Sequence, residues 1–184
     1  MLSQKFNDMH ANIMNPVEML ENKYSFIIFT DASTSPTQKV AVGAFLHLTP
    51  VQIHVFSTYS SENLYAKLLT LVRYSEYRSK KSTWSEIKSV IDALNLLPTD
   101  LKFNPKVAIY TDCQSLCDLM GNRKEKLQKN NFITKSGNTL QNADLYKELF
   151  AITKTFQVHV FKTKGHRSYI NCVKIQEKIF LHSR

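Results

Sequence analysis

Tyr24-Ser25-Phe26-Ile27-Ile28-Phe29-Thr30-Asp31 and Lys106-Val107-Ala108-Ile109-Tyr110-Thr111-Asp112 share one grammar, an apolar, aromatic and β-branched run that closes on Thr-Asp. Short runs of this kind read as buried strands. The turn-forming stretch Asp31-Ala32-Ser33-Thr34-Ser35-Pro36 is predicted to stop the first. After the second, Ser115–Met120 reads as a helix ending near Gly121. If the two strands run parallel in one sheet, Asp31 and Asp112 emerge at the same carboxyl-terminal edge, where α/β sheets bind ligands.

Beyond the first strand, Lys39–Leu48 and Gln52–Thr58, joined through Thr49-Pro50-Val51, suit two further strands, so the chain is predicted to open with a three-stranded antiparallel meander. Asn63–Ser79 spaces Leu64, Leu68, Leu71 and Val72 along one helical face and reads as an inserted helix carrying Lys67, Arg73 and Arg78. From Thr83 the pattern sharpens. Thr83 can cap, Glu86 stands in capping-box spacing, and Ile87, Val90, Ile91 and Leu94 form an apolar stripe that ends before Pro98. Asn142–Phe156, with Leu145, Leu149 and Ile152 on one face, is a further helix. It leads into a short alternating strand, Gln157–Lys162, the loop Lys164-Gly165-His166-Arg167 and a tail, Val173–Arg184. Residues 1–22 show no sustained period and read as an N-terminal extension, with residues 23–184 as one domain. The fold class is α/β: a mixed five-stranded sheet, three antiparallel strands plus parallel ones, flanked by helices.

Composition narrows the function. Hydrophobic residues make up 43% and charged residues 21% of the 184, which excludes disorder over most of the chain. Apolar runs such as Phe26–Phe29 fall far short of the ~18 residues that cross a bilayer, and Met1–Tyr24 carries polar residues throughout, unlike a signal peptide. A soluble cytoplasmic protein with no membrane partner is expected. Three cysteines without an export signal read as reduced thiols, and Cys113 and Cys117 alone make a poor zinc site. Lys and Arg total 24 against 15 for Asp and Glu, and a formal charge of +9 favours a polyanionic partner, nucleic acid first. The densest patch is Asn122–Lys135, where Arg123, Lys124, Lys126, Lys129 and Lys135 face the single acid Glu125.

A right-handed crossover would lay the helix that begins near Thr83 across the sheet and bring Glu86, at the border of its stripe, toward Asp31 and Asp112. Carboxylates that close repel one another and make sense as a cage for oxygen-seeking Mg2+ or Mn2+. Taken singly, each has a plainer role: an Asp after a strand is commonly a turn residue, and Glu86 a capping-box partner. His166, in its Gly-His-Arg loop, is either a solvent-exposed side chain or a proton shuttle near phosphates.

In order along the chain, Phe29-Thr30-Asp31-Ala32-Ser33, Trp84-Ser85-Glu86-Ile87, Tyr110-Thr111-Asp112-Cys113-Gln114 and Lys164-Gly165-His166 resemble the type 1 ribonuclease H family over roughly Tyr24 to His166. Asn142-Ala143-Asp144-Leu145-Tyr146 resembles the family's helix before its last strand, and the nearest likeness is to bacterial members with a longer linker before the first long helix. The resemblance implies a ribonuclease H-like fold and Mg2+-dependent hydrolysis of the RNA strand in RNA–DNA hybrids, with Mn2+ as a substitute. It makes Asp31, Glu86 and Asp112 the metal-binding catalytic carboxylates and His166 the loop histidine assisting proton transfer or product release. Ser33 and Gln114 fall near the hybrid's minor groove, and Arg123, Lys124, Lys126 and Lys129 on a substrate-gripping protrusion. A monomer with no obligate protein partner follows.

One departure stands against the pattern. The family carries a fourth carboxylate on its terminal helix, and Val173–Arg184 offers only Glu177. Two other readings therefore stay open: a catalytically impaired nucleic-acid binding module, and a DNA-directed nuclease of the same fold.

Overall fold

The computed structural model describes residues 24–35, 37–56, 59–78, 81–98 and 104–163. Strands β1 (Phe26–Ser35), β2 (Val40–Leu48), β3 (Arg73–Tyr77), β4 (Lys106–Thr111) and β5 (Gln157–Lys162) form one sheet in the order β3-β2-β1-β4-β5. β1 pairs antiparallel with β2 and β2 with β3, whereas β4 runs parallel to both β1 and β5. The mixed five-stranded sheet is therefore present, with β1 as the hinge between its antiparallel and parallel halves.

Helices cover both faces. Ile28, Phe45, Val107 and Ile109 share a core with α3 (Ser82–Asn95), α4 (Gln114–Met120), α5 (Arg123–Lys129) and α6 (Ala143–Ile152). The alternate residues Ile27, Phe29, Leu46, Leu48, Ala108 and Tyr110 pack with α1 (Pro50–Phe56) and α2 (Ser61–Leu71), through Ile53, Phe56, Leu64 and Leu68. Burial on both faces explains why β1 and β4 are continuously apolar, while the edge strands β3 and β5 are mixed. Ile27, Ile28, Ile87, Ile91, Leu94 and Ile109 are each under 2% exposed. At roughly 1.5–3 kcal/mol per wholly buried side chain, β1, β4 and α3 form the rigid frame.

Several sequence expectations need correction. Gln52–Thr58 is not a strand, since Pro50–Phe56 is helical. The amide of Gln52 donates to Thr49 Oγ1 (3.2 Å) and the amide of Thr49 donates to Gln52 Oε1 (2.8 Å), a reciprocal capping box with Pro50 at the first helical position. The third meander strand lies instead inside the stretch read as one helix, Asn63–Ser79. That helix stops at Leu71, Val72 is extended, and Arg73–Tyr77 pairs with β2 from Ala41↔Tyr77 to Phe45↔Arg73. An edge strand buries little, so its sequence lacks the apolar signature. β1 also continues past Asp31 to Ser35, because antiparallel pairing up to Ser35↔Val40 overrides the turn composition. The additional chain is thus a helical pair between β2 and β3, and no long linker before α3. Residues 1–22, the loop Lys164–Arg167 with His166, and the tail Val173–Arg184 with Glu177 lie outside the described residues. Among the described residues no helix is long and apolar enough to cross a membrane.

Candidate metal centre and nucleic-acid interface

The parallel register carries the site. Phe26↔Val107 through Phe29↔Tyr110 runs at one offset, and continuing it by two residues sets Asp31 level with Asp112. β1 and β4 stop pairing there: β1 goes on with β2 alone, and β4 ends at Thr111. The Cys113 amide donates to Thr111 Oγ1 (3.1 Å), shaping the turn that holds Asp112 before α4 begins. α3 packs over β1 and β2 and brings Glu86 to the edge of this split.

Asp31, Glu86 and Asp112 each offer a carboxylate oxygen, and these oxygens lie within 4.8 Å of one another. Two unit charges at that separation repel by about 3 kcal/mol at an effective dielectric of ~20. Glu86 is the buried member, only 8% exposed. Burial first, then the charges of Asp31 and Asp112, push its carboxyl up to about 8, partly offset by a hydrogen bond from the Ala32 backbone. Its Oε2 is buried without a hydrogen-bond partner. That oxygen, buried without a partner and facing two more carboxylates, fits a hard divalent cation, which prefers such oxygens and favours their charged form.

The sequence-predicted contact residues separate into groups. Ser33 is exposed on β1 beyond Asp31. Gln114 is fixed at the start of α4, its Nε2 donating to Asp118 Oδ1 (2.7 Å) and its Oε1 accepting from Lys162 Nζ. Arg123, Lys126 and Lys129 are exposed along α5. Lys124 differs, turning back toward the body: its Nζ donates to Thr153 Oγ1 (3.4 Å) and lies 5.5 Å from the Phe150 ring centroid. Phe132, buried with φ +59, packs 6.0 Å from the same ring and fastens the end of the basic segment. Cys113 and Cys117 are free thiols that pack, and burial pushes Cys113 up to about 11.

Residues 23–173 match the family model described as RNase H. The chain belongs to the RNase H family. It is 37% identical to a protein named Ribonuclease H from Thermoanaerobacter sp. (strain X514) over 82 residues, 44% of this chain and 50% of that protein. The Ribonuclease H of Caldanaerobacter subterraneus subsp. tengcongensis is 34% identical over the same length, 44% of this chain and 51% of its own. This chain thus spans about half the length of the curated relatives it matches. Among solved structures, the PFV RNase H domain superposes with a TM-score of 0.58 at 17% identity, covering 85% of this chain and 92% of that one. At such identity the likeness concerns the RNase H fold alone.

One surface feature was missed in the sequence. A cleft of 540 Å³ lies between the N-termini of α3 and α6, lined by Lys81, Ser82, Thr83, Leu140, Gln141, Asn142 and Tyr146. Neither helix is capped there by a side chain. A signal did exist: Lys80 and Lys81 stand directly before α3, the end of a helix where the dipole disfavours cations.

Proposed function

We propose that the chain is a divalent-cation-dependent endonuclease hydrolysing the RNA strand of RNA–DNA hybrids, with Mg2+ as the working ion and Mn2+ as a substitute. The observation that carries this reading is the three-carboxylate cluster with the orphaned Glu86 oxygen. The relatives' name, Ribonuclease H, supports the reaction. One structural neighbour, a foamy viral protease-reverse transcriptase with a TM-score of 0.59 at 11% identity, covers 85% of this chain and 19% of its own and was solved with an RNA/DNA hybrid.

Asp31, Glu86 and Asp112 act as the ligands. When bound, the cation supplies Lewis-acid charge to the scissile phosphate and to the attacking water. Arg123, Lys126 and Lys129 on α5 attract flanking phosphates, Lys124 holds α5 in place, and Ser33 and Gln114 border the minor groove of the substrate. His166 assists proton transfer or product release. Residues 23–184 work as one monomeric domain.

A labelled hybrid, duplex DNA and duplex RNA, each incubated with the protein in Mg2+ and then Mn2+, test this. Hybrid-only cleavage that disappears in Asp112→Asn is expected. Salt-sensitive binding without cleavage under either ion would favour the binding-module reading, and cutting of duplex DNA a nuclease of different specificity. Neutralising Lys126 and Lys129 should flatten the salt dependence of hybrid binding, and an unchanged slope would remove α5 from the interface.

A further inference from the structure

Gly43 sits one residue from Ala44, the cross-strand partner of Asp31, and itself pairs with Ala32 on β1 and Ser75 on β3. It is buried beneath α3. A Cβ built on it would lie 2.7 Å from Ser89 Cβ, 2.9 Å from Ser89 Oγ and 2.9 Å from Tyr77 Cε2. The first of these is the root of a helical side chain and cannot swing aside without the helix. Nor is the Tyr77 ring loose, since its hydroxyl donates to Asp92 Oδ2 (2.8 Å), one turn farther along α3. Asp92 in turn pairs with Lys88 (3.1 Å), and Lys88 with Glu148 of α6 (3.4 Å).

Ser89 stands three residues after Glu86, on the neighbouring position of the same helical face. It is wholly buried, with Oγ directed at the Ala44 carbonyl (3.4 Å). The backbone that hydrogen-bonds the Glu86 carboxyl is Ala32, directly across from Gly43. Floor and anchor are thus adjacent: Gly43 sets how deeply this turn of α3 rests on the sheet, and Ala32 receives the carboxylate that the turn delivers. Asp31 belongs to β1 and Asp112 follows β4 directly, so neither is carried by α3. We infer that Gly43 is a positioning residue for the metal centre, its missing side chain setting the reach of Glu86 to the two aspartates. This inference rests on the reading of the three carboxylates as a cation site.

The test measures Mn2+ binding to the full chain by titration calorimetry, together with thermal unfolding and hybrid cleavage. Gly43→Ala should weaken Mn2+ binding by about tenfold or more, as perturbed support of a ligand does. KM for the hybrid should stay within about twofold, with cleavage recovering in excess Mn2+. Adding Ser89→Gly to Gly43→Ala empties the contact from the helix side and should restore much of the affinity. Leu68→Ala, in the core on the opposite face, should lower the melting temperature and leave Mn2+ binding as in the parent. If Gly43→Ala does not fold, Ser89→Thr presses one methyl into the same contact from above and carries the same expectation. Unchanged Mn2+ affinity in the folded variants, with only a lower melting temperature, would overturn the inference while sparing the site. A parent protein that binds no Mn2+ would overturn both.

Discussion

Thr49-Pro50-Val51-Gln52 and Thr83-Trp84-Ser85-Glu86 present the same local grammar, a hydroxyl residue followed three positions later by a side chain able to reach back, at the head of a helix. In the first, both reciprocal hydrogen bonds form and Pro50 opens α1. In the second neither role is taken. α3 begins at Ser82 behind an extended Lys81, without a side-chain cap. Glu86 has turned inward to Asp31 and Asp112. The difference comes from where each reaching side chain rests. Thr49 and Gln52 are half-buried and close on each other at the head of α1, whereas in α3 Ser82 is exposed and Thr83 half-buried while Glu86, one turn in, is buried beside Asp31 and Asp112. A capping pattern states what a side chain can do locally, and the surface beneath it decides whether it does.

This contrast can be broken in order of expected effect. Glu86→Gln removes one carboxylate of the cluster and should reduce hybrid cleavage at least about 10²-fold. Its metal-free stability should hardly change, because Gln is isosteric with the protonated acid that a carboxyl at about 8 presents at neutral pH. Added Mn2+ should raise the melting temperature of the parent and not that of this variant, and an equal rise in both would remove Glu86 from the ion's ligands. Leu68→Ala, wholly buried where α2 covers the sheet, should cost about 2–5 kcal/mol in urea unfolding. Its cleavage rate per folded molecule should match the parent, and a selective loss of rate would show that the helical pair contributes to the site. Thr49→Ala should cost ~1 kcal/mol, the usual worth of a cap. Thr83→Ala should stay within about 0.5 kcal/mol of the parent in the same experiment. Equal costs at Thr49 and Thr83 would abolish the distinction.

How legible each region was depended on how much its residues bury. β4 and α3 stand close to where periodicity placed them, because Val107, Ile109, Ile87, Val90, Ile91 and Leu94 are core residues whose spacing is the record of their burial. β5 ran true at both ends, Gln157–Lys162. β3 was hidden because Arg73-Tyr74-Ser75-Glu76-Tyr77 lies at an edge, and its register with β2 depends on backbone pairing that leaves little trace in side-chain type. α1 was hidden by a different cause: Val51, Ile53 and Val55 alternate as a strand would, while the helix-starting signal sits in Thr49, Pro50 and Gln52. The cleft beside Lys81 and Asn142 joins helix heads far apart in the chain, a proximity no local pattern encodes.

The amino-acid order was enough to single out the three carboxylates that the fold brings together. Carboxylates after apolar runs and a Glu beside a helical stripe are local facts, set by burial and by the short range of side-chain periodicity. Their meeting was decided in three dimensions. The shared offset of β1 and β4 levels Asp31 with Asp112, and the depth at which α3 settles over Gly43 delivers Glu86, because separations between oxygens of distant segments depend on how strands register and helices seat.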